Sequence, residues 1–336
     1  MNREERVRSA IEGGVPDRVP VSVWFHFSAD DQDPVSLAEA TSELIETYDY
    51  DFVKMMPFGL YGVQDLGARI KIYCQKGRPP VVTGSPIKTP ADYKRLHIIP
   101  AIQGTYGKQL EFTEQLAQRL RPDTPFIQTI FSPLTTLHKL AGDRVLEDLK
   151  THPDEVRHAL EVITEISIDF ANENIKRGVS GFFFATQDAR PQLISPENFR
   201  SFAAAYDVPL IESYAKRTWF NVAHIHGLDV YFDEVASYPV NVVNWHDRNT
   251  APSLGEARKR SDKAFLAGIR AATKLVNGKE IRDDIAADGT PEEIIKHIRE
   301  AIADAGSQKL LIGPGCCVAQ DVAPANLRAI REAVNL

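Results

Sequence analysis

Short apolar runs rich in β-branched and aromatic residues alternate along the chain with longer stretches of helical apolar spacing. The runs at 19–25, 52–56, 126–131, 181–185, 219–225, 240–245, 264–269 and 309–312 read as strands, eight in all. Between them, Thr89-Pro90, His152-Pro153, Ser195-Pro196 and Thr290-Pro291 each place proline at a first helical position, where its missing N–H costs nothing. Thr290 and Glu293 have the spacing of a capping box. From Pro153 onward, Val156, Leu160, Ile163, Ile166 and Phe170 make one stripe, the pattern of a helix packed on a sheet. Strands alternating with helices in this number predict an α/β fold, a (β/α)8 TIM barrel, with residues 1–336 as a single domain. The rival is an open doubly wound sheet, which calls for a glycine-rich phosphate turn. GVPDRV, GARIKI and GPGCCV do not match GxGxxG. Within residues 57–125, the stretch 59–86 reads as an excursion after the second strand, with a hairpin expected from 70–73 and 80–83, before two helices. Such an excursion serves either as a lid over the site or as a solvated insertion without a role.

Composition narrows the function classes. Hydrophobic residues at 43% and charged residues at 25% describe an ordinary globular chain. A net charge of -7 argues against nucleic acid as the main partner, because phosphate binding needs clustered Lys and Arg. No apolar run approaches the ~18 residues of a membrane span, and the opening MNREERVRSA lacks the apolar stretch of a leader. The 3 cysteines cannot build a disulfide framework, which fits a reducing cytoplasm.

Barrel enzymes carry their chemistry just past the C-terminal ends of the strands. Those positions hold Ser132, then Gln187 and Asp188, His224 and His226, His246 and Asp247, and finally Cys316 with Cys317. The sharpest feature is Val222-Ala223-His224-Ile225-His226-Gly227. Residues two apart on a strand face the same way, so both imidazoles share a face with Val222. Cys316 lies 90 residues beyond His226 and at the end of the last strand, where it can meet them across a barrel mouth. Two histidines and one thiolate suit Zn²⁺ in an open site, with a fourth position for substrate, water or a carboxylate. The same residues also read as a hydrogen-bonded histidine pair in a polar mouth, with Cys316 and Cys317 as small buried hydrophobes. Asp188 reads as a base or ligand, or as a cap on the loop into the Ser195 helix. His246 and Asp247 read as catalytic polar groups, or as part of an ion pair with Arg248. His26, after the first strand, is a candidate for the mouth, whereas His152, His158 and His297 read as surface residues of helices.

These residues carry a family resemblance that runs nearly end to end. Asn2-Arg3-Glu4-Glu5-Arg6, Pro16-Asp17-Arg18-Val19-Pro20-Val21, Tyr50-Asp51-Phe52-Val53-Lys54, Ile194-Ser195-Pro196-Glu197-Asn198-Phe199 and Gly313-Pro314-Gly315-Cys316 are similar to stretches of the uroporphyrinogen decarboxylase superfamily. That superfamily includes zinc-dependent corrinoid:thiol methyltransferases, and the resemblance implies the same (β/α)8 barrel. In true decarboxylases an Arg-containing segment after the first strand binds substrate carboxylates. Here Val21-Ser22-Val23-Trp24-Phe25-His26-Phe27-Ser28-Ala29 contains no Arg. Their tyrosine would fall near Lys139, their Gly-His-Gly is Gly313-Pro314-Gly315, and their pyrrole-binding Asp would fall near 58–61, which has no carboxylate.

In the methyltransferase branch the zinc ligands are a His-x-Cys pair and a late Cys. His224 and Cys316 match that pattern, and His226 stands in place of the first Cys. The resemblance therefore implies a zinc-dependent methyltransferase with Zn²⁺ on His224, His226 and Cys316; Asp188 and His246 are taken as catalytic groups from their places at strand ends. Its partners would be a small-molecule substrate and a corrinoid protein as methyl donor. The alternatives are a metal-free lyase of decarboxylase type and a non-catalytic corrinoid- or tetrapyrrole-binding protein.

Overall fold

The computed structural model describes residues 1–276 and 279–335, the side chains of 273–280 excepted. Its strands are β1 (Val53–Lys54), β2 (Arg69–Lys71), β3 (Val81–Gly84), β4 (Phe126–Phe131), β5 (Gly181–Thr186), β6 (Val222–Ile225), β7 (Val242–Trp245), β8 (Ala264–Ile269), β9 (Ala271–Val276), β10 (Lys279–Asp284) and β11 (Leu310–Pro314). Seven of them form one parallel sheet in the order β1-β4-β5-β6-β7-β8-β11, which is also their order along the chain. Each step is therefore a parallel crossover, and helices cover the outside of a curled sheet. Every residue of β5, β6, β7, β8 and β11 is buried, as a parallel sheet covered on both faces requires.

The first predicted strand departs from expectation. Residues 19–25 contribute only an isolated parallel bridge, Val21 to Ile312, instead of a ladder. Pro20 has no N–H to donate, which limits pairing at that edge. Its carbonyl still accepts from Ile312 N at 2.8 Å, and Ser22 N donates back to Ile312 O at 3.0 Å. On the other side Asp51 N donates to Val21 O at 2.9 Å, and Ser22 Oγ donates to Phe52 O at 2.6 Å. The segment thus touches both edges of the sheet.

Residues 57–125 carry the expected hairpin as the antiparallel pair β2/β3, with a register shift between Arg69 and Ile70. A second antiparallel hairpin, β9/β10, follows β8 and was not foreseen. Thr290 and Glu293 form their capping box on the helix Pro291–Ala305. Thr89-Pro90 opens a 3₁₀ turn, Pro90–Arg95, instead of an α-helix. His297 corrects the surface reading. It is buried, and its Nε2 accepts from Arg270 N at 3.2 Å.

Two apolar layers follow the strand alternation. Trp24, Phe52, Ile127, Phe183, Val222, Val242, Leu266 and Leu311 fill the inside of the curl. Ala223, Ile225, Val243, Trp245 and Phe265 face the helices. Complete burial of side chains this size contributes about 1.5–3 kcal/mol each. The inner layer is floored at the strand N-termini by Val7, Ala10 and Ile11 of the helix Arg3–Glu12. Nearby, buried Asp51 accepts from Arg6 Nη1 at 2.7 Å, Arg18 Nη2 at 2.9 Å and Val21 N at 2.8 Å. With the floor filled and locked, the open end of the curl lies at the strand C-termini.

Candidate metal centre

At that open end β6 delivers His224 and His226, the residue after β7 is His246, and Cys316 follows β11. One ligating atom from each of the four lies within 4.8 Å of all the others. The pairings explain why. His224 continues the inward face of Val222, and it stands opposite Asn244 in the β6–β7 register. Past β6, His226 N still donates to Thr186 O at 2.9 Å, which keeps the second histidine on the sheet edge. Gly315 N donates to Ile269 O at 3.0 Å, carrying the β8–β11 pairing one residue past the end of β11. A Cβ on Gly315 would lie 2.9 Å from His246 Cα and from Trp245 O, so only glycine permits that approach.

The protonation states suit metal ligation. Burial pushes His224 well below the usual histidine range, helped by the neighbouring His226 and His246. Burial likewise lowers His246 to about 3. Both rings are then neutral, the form that ligates. His226 loses charge to burial, but Cys316 outweighs that loss and its pKa is raised. The Cys316 thiol is held well below its ordinary value by hydrogen bonds from Cys317 and His226, at 3.7 Å each, against the opposing effect of burial. Cys317 rises to about 12 through its bond to Cys316 and its burial. Of the adjacent pair, Cys316 is the thiolate.

The fit of a metal rests on a further observation. His246 is buried, and among the described residues neither Nδ1 nor Nε2 has a hydrogen-bond partner. A buried polar group left unmatched costs about 1–3 kcal/mol. A cation bound by the cluster would satisfy one nitrogen, and imidazole nitrogen and thiolate sulfur are both donors that zinc takes.

The other predicted residues divide. Asp188 is 1% exposed and stands outside the cluster. It accepts from Thr135 Oγ1 at 2.6 Å and pairs with His138 Nδ1 at 2.5 Å. Asp247 accepts from Gly268 N at 3.2 Å, while Arg248 reaches Glu300 at 3.9 Å, so the anticipated ion pair is not made. His26 does line the mouth. It borders both an outer cavity of about 740 Å³ and an inner one of about 250 Å³, which share His226, Cys316 and Cys317. Sequence reasoning missed Asn244, which orients His224, and His138, which holds Asp188. A polar residue opposite a histidine on an otherwise apolar strand was the available signal for Asn244.

Comparison with known proteins agrees with this architecture. The chain is 22% identical over 310 residues to the methylcobamide:CoM methyltransferase MtbA of Methanosarcina acetivorans, spanning 92% of this chain and 86% of that protein. It is 29% identical over 135 residues to MtaA of Methanosarcina barkeri, a methylcobamide:CoM methyltransferase, with 38% of each chain covered. A solved methyltransferase from Methanosarcina mazei superposes with a TM-score of 0.82 at 20% identity, covering 99% of this chain and 98% of that one. The family model for uroporphyrinogen decarboxylase (URO-D) matches residues 2–336. Matched over nearly its whole length, the chain belongs to the uroporphyrinogen decarboxylase family.

Proposed function

We propose that this member of the family is a zinc-dependent methyltransferase, moving a methyl group from a corrinoid or other small methyl donor to a metal-activated acceptor. The observation that carries the reading is the convergence of four ligating atoms within 4.8 Å, one of them on a buried imidazole with no hydrogen-bond partner among the described residues. His224, His226 and Cys316 would hold the ion, with His246 as a fourth donor that the incoming acceptor would replace, so that the site opens for substrate. When bound, zinc would keep an acceptor thiol in its thiolate form near neutral pH. The names of the relatives, methylcobamide:CoM methyltransferases, support a methylated corrinoid as donor and a small-molecule acceptor; that the corrinoid is carried on a partner protein and that the acceptor is a thiol belong to this reading.

The chain's own groups set the stage. Asn244 fixes the His224 ring, and the outer cavity admits the donor from the strand C-termini. In the transfer the carbon–donor bond breaks with its electron pair kept by the donor. A carbon–sulfur bond forms, and the thiol proton leaves to solvent. Asp188, paired with His138, is read as holding the loop after β5, one residue beyond Gln187 on the cavity wall. We read the segment 19–25, bonded to both sheet edges, as the eighth stave of a barrel formed by 1–336, and the unpaired cysteines as fitting a cytoplasmic protein. The test is a zinc-loaded protein given methylcobalamin and a panel of small thiols, with thioether formation followed by mass. Thioether production dependent on zinc is expected. Absence of zinc uptake together with absence of transfer would end the reading.

A further inference from the structure

The loop after β11 carries two consecutive cysteines, Cys316 and Cys317, of which the metal reading uses only the first. Their Sγ atoms lie 3.7 Å apart. The backbone fixes the pair from both sides. Gly315 N donates to Ile269 O at 3.0 Å, and Val318 N donates to Trp24 O at 3.1 Å. The peptide between the cysteines is therefore held on a short, pinned span. Both side chains border the outer cavity as well as the inner one, which puts both sulfurs within reach of a small solute entering at the mouth. The third cysteine, Cys74, is exposed on the segment between β2 and β3.

Two sulfurs at this separation need only a small side-chain movement to bond at the usual ~2.05 Å. The bond would be a weak one. Adjacent α-carbons stand about 3.8 Å apart across a trans peptide, inside the ~4.4–6.8 Å that disulfides prefer. A bond strained in this way is readily reduced, the mark of a switch and not of a staple. Oxidation also gives Cys317 a task that ligation does not. A sulfenic acid formed at a solitary cysteine goes on to the irreversible sulfinic acid, whereas a neighbouring thiol condenses with it first.

We propose that Cys316 and Cys317 are an oxidative modification site, closed into a reversible disulfide by hydrogen peroxide. Cys316 Sγ attacks one peroxide oxygen, the O–O bond breaks, and hydroxide leaves with the thiol proton as water. Cys317 Sγ then attacks the sulfur of the sulfenic acid. The S–O bond breaks, and its hydroxide leaves with the Cys317 proton as a second water. The two thiols lose two electrons in all, and the peroxide gains them. The consequence rests on the zinc reading: the disulfide takes Cys316 out of the donor set, and metal binding ceases until a thiol reductant restores it.

The experiment treats the full chain, metal-free and zinc-loaded, with a small excess of hydrogen peroxide and follows it by intact mass and peptide mapping. A Cys74→Ser background removes cross-linking through the exposed thiol. The metal-free chain should lose two hydrogens on the peptide spanning 316 and 317, and dithiothreitol should return them in full. Cys317→Ser should instead gain two oxygens at Cys316, a change that dithiothreitol does not reverse. A chain with both cysteines that gains oxygens as the variant does, or stays unmodified, overturns the proposal. In the zinc-loaded chain, metal released to a chromogenic chelator should match the disulfide formed. Reduction followed by added zinc should then restore binding, except in Cys317→Ser. A disulfide formed with zinc fully retained overturns the switch. A disulfide in a chain that never takes up zinc upholds the modification site and ends the metal reading instead.

Discussion

Nδ1 of His224 donates to Oδ1 of Asn244 at 2.5 Å, between two residues that are register partners on adjacent strands. The Asn244 amide in turn donates to Leu266 O at 2.6 Å and Pro314 O at 3.1 Å, so its oxygen can only face the histidine. One polar chain therefore ties β6, β7, β8 and β11 together beneath the cluster, and it leaves Nε2 of His224 as the ligating atom. Such outer contacts commonly carry about 10–100-fold in metal affinity. Asn244→Ala keeps all four donors. It should weaken zinc binding by about that factor in a chelator competition. An unchanged affinity would show that the bond orients nothing.

Purified without a metal-binding tag, the protein should contain about one zinc per chain. His224→Ala and Cys316→Ala should each lower occupancy strongly. His246→Ala should lower it less, because no hydrogen bond from the described residues holds that ring in place. Cys317→Ala should matter least, since its thiol stays protonated beside Cys316. Elemental analysis of the four variants gives the order, and equal loss in all four would contradict it.

His226→Cys and His226→Ala separate a ligand from a structural histidine. As a ligand, Cys adds negative charge and should tighten zinc binding at neutral pH, whereas Ala removes a donor and should loosen it. As a structural residue, both changes should cost about 1–2 kcal/mol of stability and leave zinc binding alone. Zinc affinity and Tm, measured side by side, decide the matter.

A pH dependence follows from Asp207, which is fully buried and accepts from Ser132 Oγ at 2.7 Å and Tyr238 OH at 2.9 Å. Burial raises its pKa to about 7, with the two hydroxyls opposing in part. The folded state therefore binds this proton more tightly than the unfolded state. Stability from the neutral form is complete below about pH 4 and is lost as pH rises to about 7. Asp207→Asn keeps the shape without the ionisation. Relative to wild type it should gain about 2–4 kcal/mol between pH 4 and pH 9 in denaturant titrations. A constant difference across that range would refute the assignment.

The protein should not convert uroporphyrinogen. Residues 21–29 contain no Arg, and the inner cavity offers two lysines against eight carboxylates. Anaerobic incubation followed by chromatography should show no stepwise loss of carboxylates. Appearance of coproporphyrinogen would reverse the functional reading.

The donors from β6 and β11 could be read from sequence because strand alternation and strand ends are local properties. His224 must follow Val222 inward, and Cys316 must end the last strand. That His246 faces the same centre depends on how β7 lies against β6, a relation no local pattern contains. Lys54 and Lys139 were harder still. Each looks like a routine surface cation in sequence, and only the closure of the sheet around Phe183 and Phe131 turns them inward. The first predicted strand, 19–25, was legible as an apolar run but not as a single bridge, because its pairing is limited by Pro20. The β9/β10 hairpin was overlooked although Asn277-Gly278, a strong hairpin dipeptide, stands between alternating residues.

The absence of one methyl-sized group at position 315 makes two distant sequence positions inseparable in descent. Any side chain there would meet the backbone of residues 245 and 246, and the strand carrying Cys316 would have to retreat. Drift at this site can therefore begin at a residue that ligates nothing. Among divergent relatives, glycine at the position of 315 and histidine at the position of 246 should be inherited or lost as a pair, and that joint retention offers a marker for which lineages kept a fourth donor.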